Sequence, residues 1–381
     1  MTTYIDVCGH LLDNLGGSTD AESERKCRIA AQHGYRELAT LHRWNYYMGM
    51  GRFTTSAPYQ TGTITYSNST RQVALAAGTW PTWSARGSIR ISNIPYPVNQ
   101  RLSDTVLTLR EQDNPGADVA AGASYQIFQE IYRLPTDFVA IDDVVKLNSG
   151  IMLTQVPARE WVRRQRVLHV PSEPRIFAII GDPDYIGQMA MVLSPPPSTA
   201  YTASYLYQRR PQELAVLEYS TGTASCTVNM DALTGIGTSW TADMEGAVVR
   251  FAADGTDQDP PSGPTGRNPG IMNRMIIEVN SATSITLDAP VDRTLTAVKY
   301  AISSPVDVEE GAMLTALFRE CERQIRFMTR PNRPNQIEEK AYEVAIERAR
   351  ENDCRDLGRK WAGMATSGTH WPRLRDFPVA T

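Results

Sequence analysis

One β-rich stretch of this chain is written twice. Thr61-Gly62-Thr63 returns as Thr221-Gly222-Thr223, and Gly78-Thr79-Trp80 as Gly237-Thr238-Ser239-Trp240. Arg86-Gly87-Ser88-Ile89 is echoed by Glu245-Gly246-Ala247-Val248, and Ser103–Leu109 by Ser281–Leu287. The copies are offset by 160 residues at Gly62/Gly222, 159 at Gly87/Gly246 and 178 at Ser103/Ser281. A single insertion absorbs the jump: Ala253–Pro269 is rich in Gly, Pro and Asp and reads as loop. Each copy carries short alternating runs bounded by turn residues, which predicts a small β-module of three or four strands. In each, a Trp follows a Gly-Thr turn and a Gly opens a buried strand. Two copies are too few for a solenoid.

The ends have a different period. Thr19 with Glu22 resembles a capping box, after which Cys27, Ala30, Ala31, Tyr35, Leu38 and Leu41 recur at helical steps, extended by Trp44, Tyr47 and Met48. A shorter helix is expected around Tyr4–Leu12, ended by Gly16-Gly17. Near the C-terminus Leu314, Leu317, Phe318, Cys321, Ile325 and Met328 trace another stripe, broken by Pro331 and Pro334. Asn335 with Glu338 offers a second cap, and Ile337, Ala341, Val344, Ala345 and Ala349 give a small-residue face that lets helix axes approach closely. The expected class is therefore α+β: a helical bundle from the two ends with a large inserted β domain holding two related modules. The expected parts are helix over 1–54, β-module 1 over 55–150, a strand-rich connecting segment over 151–215 and β-module 2 over 216–307. Helix follows over 308–357, then an extended tail over 358–381.

Composition narrows the chemistry. With 381 residues, 41% hydrophobic and 21% charged, the chain can bury sizeable cores. It has no apolar run of membrane-spanning length and no signal-like start, and its five scattered cysteines suggest neither a disulfide framework nor a zinc site. A net charge of −4 argues against a diffuse DNA binder, which would concentrate cations to neutralise phosphates. Only five of 38 basic residues are lysines. Arg is favoured at buried interfaces, although a GC-rich genome gives the same bias.

Reactive patterns are sparse. The five histidines show no metal-ligand spacing, and nucleophile elbows and phosphate loops are absent from the sequence. Asp254–Asp259 has the wrong Gly position for an EF-hand. Asp142-Asp143 or Asp182/Asp184 could form a carboxylate pair for a hydrolase, but Asp182-Pro183-Asp184 reads more naturally as a turn. Trp80, Trp83 and Trp240 could stack on sugar rings, or Trp80 and Trp240 could plug the core of each module. The run Arg159, Arg163, Arg164 and Arg166 around Trp161 could contact nucleic acid or join subunits through carboxylates.

Several phrases together resemble the head-to-tail adaptor (connector) proteins of tailed bacteriophages. They are Gly34-Tyr35-Arg36-Glu37-Leu38 with Trp44, Gly78–Gly87 with Ile89-Arg90-Ile91, Ser103–Leu109, Tyr132-Arg133-Leu134-Pro135-Thr136-Asp137-Phe138, and Tyr207-Gln208-Arg209-Arg210-Pro211 with Leu214. The order of helices, β insertion, two helices and tail is also similar. The resemblance implies a non-enzymatic virion protein without cofactor or metal. It implies a ring of about twelve copies below the portal. DNA would pass through its lumen without specific binding, and no membrane is involved. Partners would be the portal, a tail tube or nozzle protein, and tail fibres. The protein would sit at the head–tail junction of the virion, after assembly in the host cytoplasm. Arg36, Trp44, Arg163, Arg164 and Arg166 are the expected inter-subunit residues, and Trp361, Trp371 and Phe377 the expected portal-docking anchors. The rival reading is a carbohydrate-binding or host-recognition β-protein of the phage tail.

Overall fold

The computed structural model describes residues 1–17, 20–142, 144–165, 170–252, 272–329 and 336–362, and of 164, 165, 337 and 354–362 the backbone alone. Two compact units emerge, Met1–Tyr46 with Pro211–Thr381, and Tyr47–Arg210. In chain order, α1 (Tyr4–Asn14) and α2 (Ala21–Leu41) come first, then β1 (Met48–Thr54). A first module holds β2 (Thr63–Ser67), β3 (Gln72–Ala76), β4 (Ser88–Ile91), β5 (Ile94–Arg101), β6 (Val106–Leu109), β7 (Val119–Ala123) and β8 (Tyr125–Phe128). There follow β9 (Ile131–Arg133), β10 (Phe138–Ile141), β11 (Val145–Leu147), β12 (Met152–Gln155), α3 (Ala158–Gln165), β13 (Ile176–Gly181), β14 (Met189–Ser194) and β15 (Thr202–Arg209). The second module holds β16 (Thr223–Cys226), β17 (Ala232–Ile236), β18 (Val248–Phe251), β19 (Met272–Ser281), β20 (Ser284–Leu287), β21 (Leu295–Val298) and β22 (Tyr300–Ser303), before α4 (Ala312–Thr329) and α5 (Gln336–Ala362).

The architecture is not a helical bundle with an inserted β domain. It is mostly β, with three large sheets, two of them nearly barrel-shaped. The helical ends carry the strongest periodicity in the sequence, but they attach to a sheet. In α1, Asp6 accepts from the Thr3 amide at 2.9 Å, and it also receives both terminal nitrogens of Arg250 on β18, at 2.7 and 2.5 Å. A bridge between Thr3 and Pro305 ties the same helix start to the end of the module.

The two seven-stranded sheets share one topology. Their orders are β7-β2-β3-β6-β5-β4-β8 and β21-β16-β17-β20-β19-β18-β22. Each strand of one has its counterpart at the same place in the other, so each copy is a seven-stranded unit rather than three or four strands. The hydrogen bonds also fix the alignment. Val98 donates to the Gly87 carbonyl and Ile276 to the Ala247 carbonyl, both at 2.9 Å, so Gly87 matches Ala247 rather than Gly246. Gly62 and Gly222 both have positive φ, and an added Cβ would lie 2.1 and 2.5 Å from facing carbonyl oxygens. Only glycine fits either turn.

The third sheet runs β1-β15-β11-β12-β13-β14-β9, with β10 also on β15. It draws together residues expected as the last turn of a helix and residues expected as a connecting segment. Met48–Thr54 pairs antiparallel with Thr202–Gln208. The α2 helix ends at Leu41, where His42 turns extended, and the chain then alternates Met48-Gly49-Met50-Gly51. Cβ atoms at Gly49 and Gly51 would meet the rings of Tyr207 and Tyr205 at 2.8 and 2.3 Å. The glycines let β1 lie beneath two buried tyrosines. Its core face gathers Phe138, Val145, Leu153, Phe177, Leu193 and Tyr205. Trp161 of α3 covers Ala178 and Val192 on the opposite face.

Helices α2 and α4 meet at a small residue. An added Cβ on Gly34 of α2 would lie 2.7 Å from the Cys321 Sγ of α4. Asp20, not Thr19, caps α2, accepting from the Glu22 and Ser23 amides; Thr19 lies outside the described residues. The α5 helix runs to Ala362, so residues 358–362 are helical rather than extended, and 363–381 lie outside the described residues. So do Asn335 and the stretch Ala253–Pro269, including Asp254–Asp259.

Candidate functional site

Asp182 and Asp184 sit in the turn between β13 and β14. The Asp182 side chain is wholly buried and accepts from Arg86 Nη2 at 2.6 Å and from the Asp184 amide at 2.9 Å, with Arg133 Nε at 3.4 Å. Asp184 lies 3.3 Å from Arg86 Nε and 3.8 Å from Arg110. The Arg133 guanidinium stacks on Tyr185 at 3.5 Å. Burial alone would raise the Asp182 carboxyl, but the Asp184 amide and the arginines outweigh it and hold it below the ordinary aspartate range. A general acid needs the opposite shift. The pair is a turn clamped by arginines, which joins the first module to the third sheet within the Tyr47–Arg210 unit. Asp142 is exposed and Asp143 lies outside the described residues.

The repeated tryptophans are core. Trp80 is 0% exposed and Trp240 is 3%. Each meets a tyrosine edge-on: Tyr125 at 5.2 Å and Tyr300 at 5.9 Å. These tyrosines donate to the Thr61 and Thr221 carbonyls at 2.7 and 2.6 Å, while Tyr59 and Tyr219 accept from the Thr79 and Ser239 amides. Neither indole is open to a sugar ring. Trp83 is half-buried against the first core.

The expected inter-subunit residues separate. Arg36 is exposed on α2 and Arg163 on α3. Trp44 is buried, its Nε1 donating to the Leu38 carbonyl at 2.8 Å. Only the backbone of Arg164 is described, and Arg166 lies outside the described residues. Trp361 falls in the last turn of α5, described by its backbone, while Trp371 and Phe377 lie outside. Trp161 is buried, so the arginines of α3 flank a core residue rather than a stacking surface.

Among the described residues no cluster of His, Cys, Asp and Glu could hold a metal ion, and no helix is long and apolar enough to cross a membrane. The buried thiols are poor nucleophiles: burial pushes Cys8 up to about 12 and Cys27 to about 11.

Phrases distant in the sequence meet in space. Asp137 accepts from the Tyr207 hydroxyl at 3.0 Å, its carbonyl accepts from the Arg210 amide at 2.6 Å, and Phe138 stacks on Tyr207 at 5.7 Å. Tyr35 donates to the Gln212 carbonyl at 2.8 Å. The Asp6–Arg250 pair had no sequence signal, since 244 residues separate its partners. No protein-family model, curated protein or solved structure matches the chain.

Proposed function

We propose that this chain is a structural virion protein, a head-to-tail adaptor. It assembles as a ring of about twelve copies beneath the portal and forms part of the path of DNA ejection. The observation that carries this reading is the meeting of the phrases behind the resemblance. Leu134–Phe138 and Tyr207–Arg210 form one joint, and Gly34-Tyr35 lies against Cys321 and Gln212 in another. They act as structural joints, which is what a likeness of architecture requires. The polar clusters best suited to chemistry are neutralised by arginine, and the tryptophans best suited to sugar are core, which disfavours the carbohydrate reading.

Negative-stain imaging of the full chain with portal particles tests the proposal. Rings seated below the portal are expected. A chain that stays monomeric and leaves the portal bare overturns it.

A further inference from the structure

Arg90 and Arg250 hold one position in the two modules. Gly87 matches Ala247, so three steps on Arg90 of β4 matches Arg250 of β18. Each stands between two core residues, Ile89 and Ile91 or Val249 and Phe251, and so points to the outer face of its sheet. In the second module the guanidinium holds the Asp6 carboxylate through both terminal nitrogens, and the two side chains are 11% and 4% exposed. In the first module the same group is unanswered. Arg90 Nε and Nη2 are buried without a hydrogen-bond partner, and among the described residues Nη1 has none either. Burial holds the guanidinium below the ordinary arginine range, with no carboxylate to offset it. Its cross-strand neighbours are Pro95 and Gln126, and in the adjoining row Pro97, Ser88 and Phe128; none is acidic. Phe128, whose ring lies 5.4 Å from the guanidinium, stands where Ser303 accepts the Ile5 amide at 3.2 Å.

The backbone explains the difference. In the second module Thr3 bridges Pro305, beyond β22, with Tyr4 donating to the Ser304 carbonyl at 2.8 Å, and Asp6 follows three residues later. In the first module β14 takes that edge: Val192 pairs with Ile131, beyond β8, and Leu193 donates to the Glu130 carbonyl at 2.9 Å. Three residues on from Val192 stands Pro195, which carries no carboxylate. The first module thus keeps the arginine without its acid. Its outer face is also more open. Ser88 and Gln126 are part-buried, whereas their matches Val248 and Ala301 are 1% and 3% exposed. We propose that Arg90 is a docking site for a neighbouring polypeptide, which supplies an Asp or Glu side chain from the start of a helix, as α1 supplies Asp6 to Arg250. The occupied site in the second module is what identifies this occupant. A guanidinium with buried, unanswered nitrogens costs stability in the free chain, and an incoming carboxylate recovers that cost as binding. This inference rests on the ring reading above for where the neighbour is found.

The test compares the free full-length chain with the chain assembled on portal particles. Arg90→Met removes the charge and keeps an unbranched stem. It is expected to raise the melting temperature of the free chain and to lower ring yield about tenfold. A mere relic of the duplication would gain the stability and assemble as before, which overturns the inference. A lowered melting temperature would mean that Arg90 is already answered within its own chain, and overturns it too. Arg90→Lys keeps the charge and offers an amine. A water-soluble carbodiimide joins that amine to a touching carboxylate as an amide, itself taking up the water released. Mass spectrometry is expected to find position 90 joined to an Asp or Glu in a product larger than one chain, in assembled particles and not in the free protein. Rings without that cross-link overturn the docking site and leave the ring reading standing. Absence of rings from wild-type protein overturns the ring reading and this site with it.

Discussion

Trp80 and Trp240 hold the same place in two sheets of identical strand order, yet only one indole is hydrogen-bonded. Trp240 Nε1 donates to the Tyr300 hydroxyl at 3.0 Å, whereas Trp80 Nε1 is buried without a partner. A buried unpaired donor carries its desolvation cost, and a paired one does not. Trp240→Phe should therefore destabilise its unit by about 1 kcal/mol more than Trp80→Phe destabilises its own. Urea denaturation followed by circular dichroism measures both. Equal losses would mean that the indole bond adds nothing.

The Asp6–Arg250 pair anchors α1 to the second module, with both side chains largely buried. Removing one partner leaves a buried charge unanswered. Asp6→Asn should cost about 3–5 kcal/mol in the unit that holds it. A change below 1 kcal/mol in chemical denaturation would show that the helix is held mainly by packing.

Gly34 marks a close approach of α2 to α4. A methyl there meets Cys321 Sγ at 2.7 Å and Cys321 backbone atoms at 3.1 and 3.2 Å. Gly34→Ala should cost about 1–3 kcal/mol by overpacking. Adding Cys321→Ala should recover only part of this, since backbone contacts remain. Thermal melts of the single and double variants decide it; a neutral Gly34→Ala would refute the tight crossing.

Acid should loosen the β13–β14 turn. The folded Asp182 carboxyl is held below its unfolded value, so its contribution is present above that value, near pH 4, and is lost as pH falls through the folded one. The stability gap between wild type and Asp182→Asn should be full at pH 6 and shrink below about pH 4. A gap unchanged down to pH 2 would contradict the ion pairing.

Attachment to the portal is expected to depend on residues 363–381, which include Trp371 and Phe377. Removing them should abolish co-sedimentation with portal particles, with the melting temperature of the truncated chain measured alongside as a check on folding. Undiminished attachment of the truncated chain would exclude the segment as the anchor.

Much of the module architecture was legible because it is local. The Thr-Gly-Thr turns and the Gly-Thr-Trp phrases repeat because each copy needs the same backbone at the same step. The stripes of Cys27–Leu38 and Leu314–Ile325 likewise marked α2 and α4. Strand number was undercounted, since runs as short as Ser88–Ile91 are set by their partners rather than by their own pattern. The one-residue slip at Gly246 has the same origin: register resides in hydrogen bonds between strands.

By itself the sequence determined the duplication, the helical ends and the glycine turns, because these follow from the backbone preferences of neighbouring residues. Only the tertiary structure decided that Met48–Thr54 is a strand, that Trp44 and Trp80 are core, and that Asp182 is clamped. Each of those depends on what other parts of the chain leave covered or exposed, and burial is a property of the packed chain, not of any segment within it.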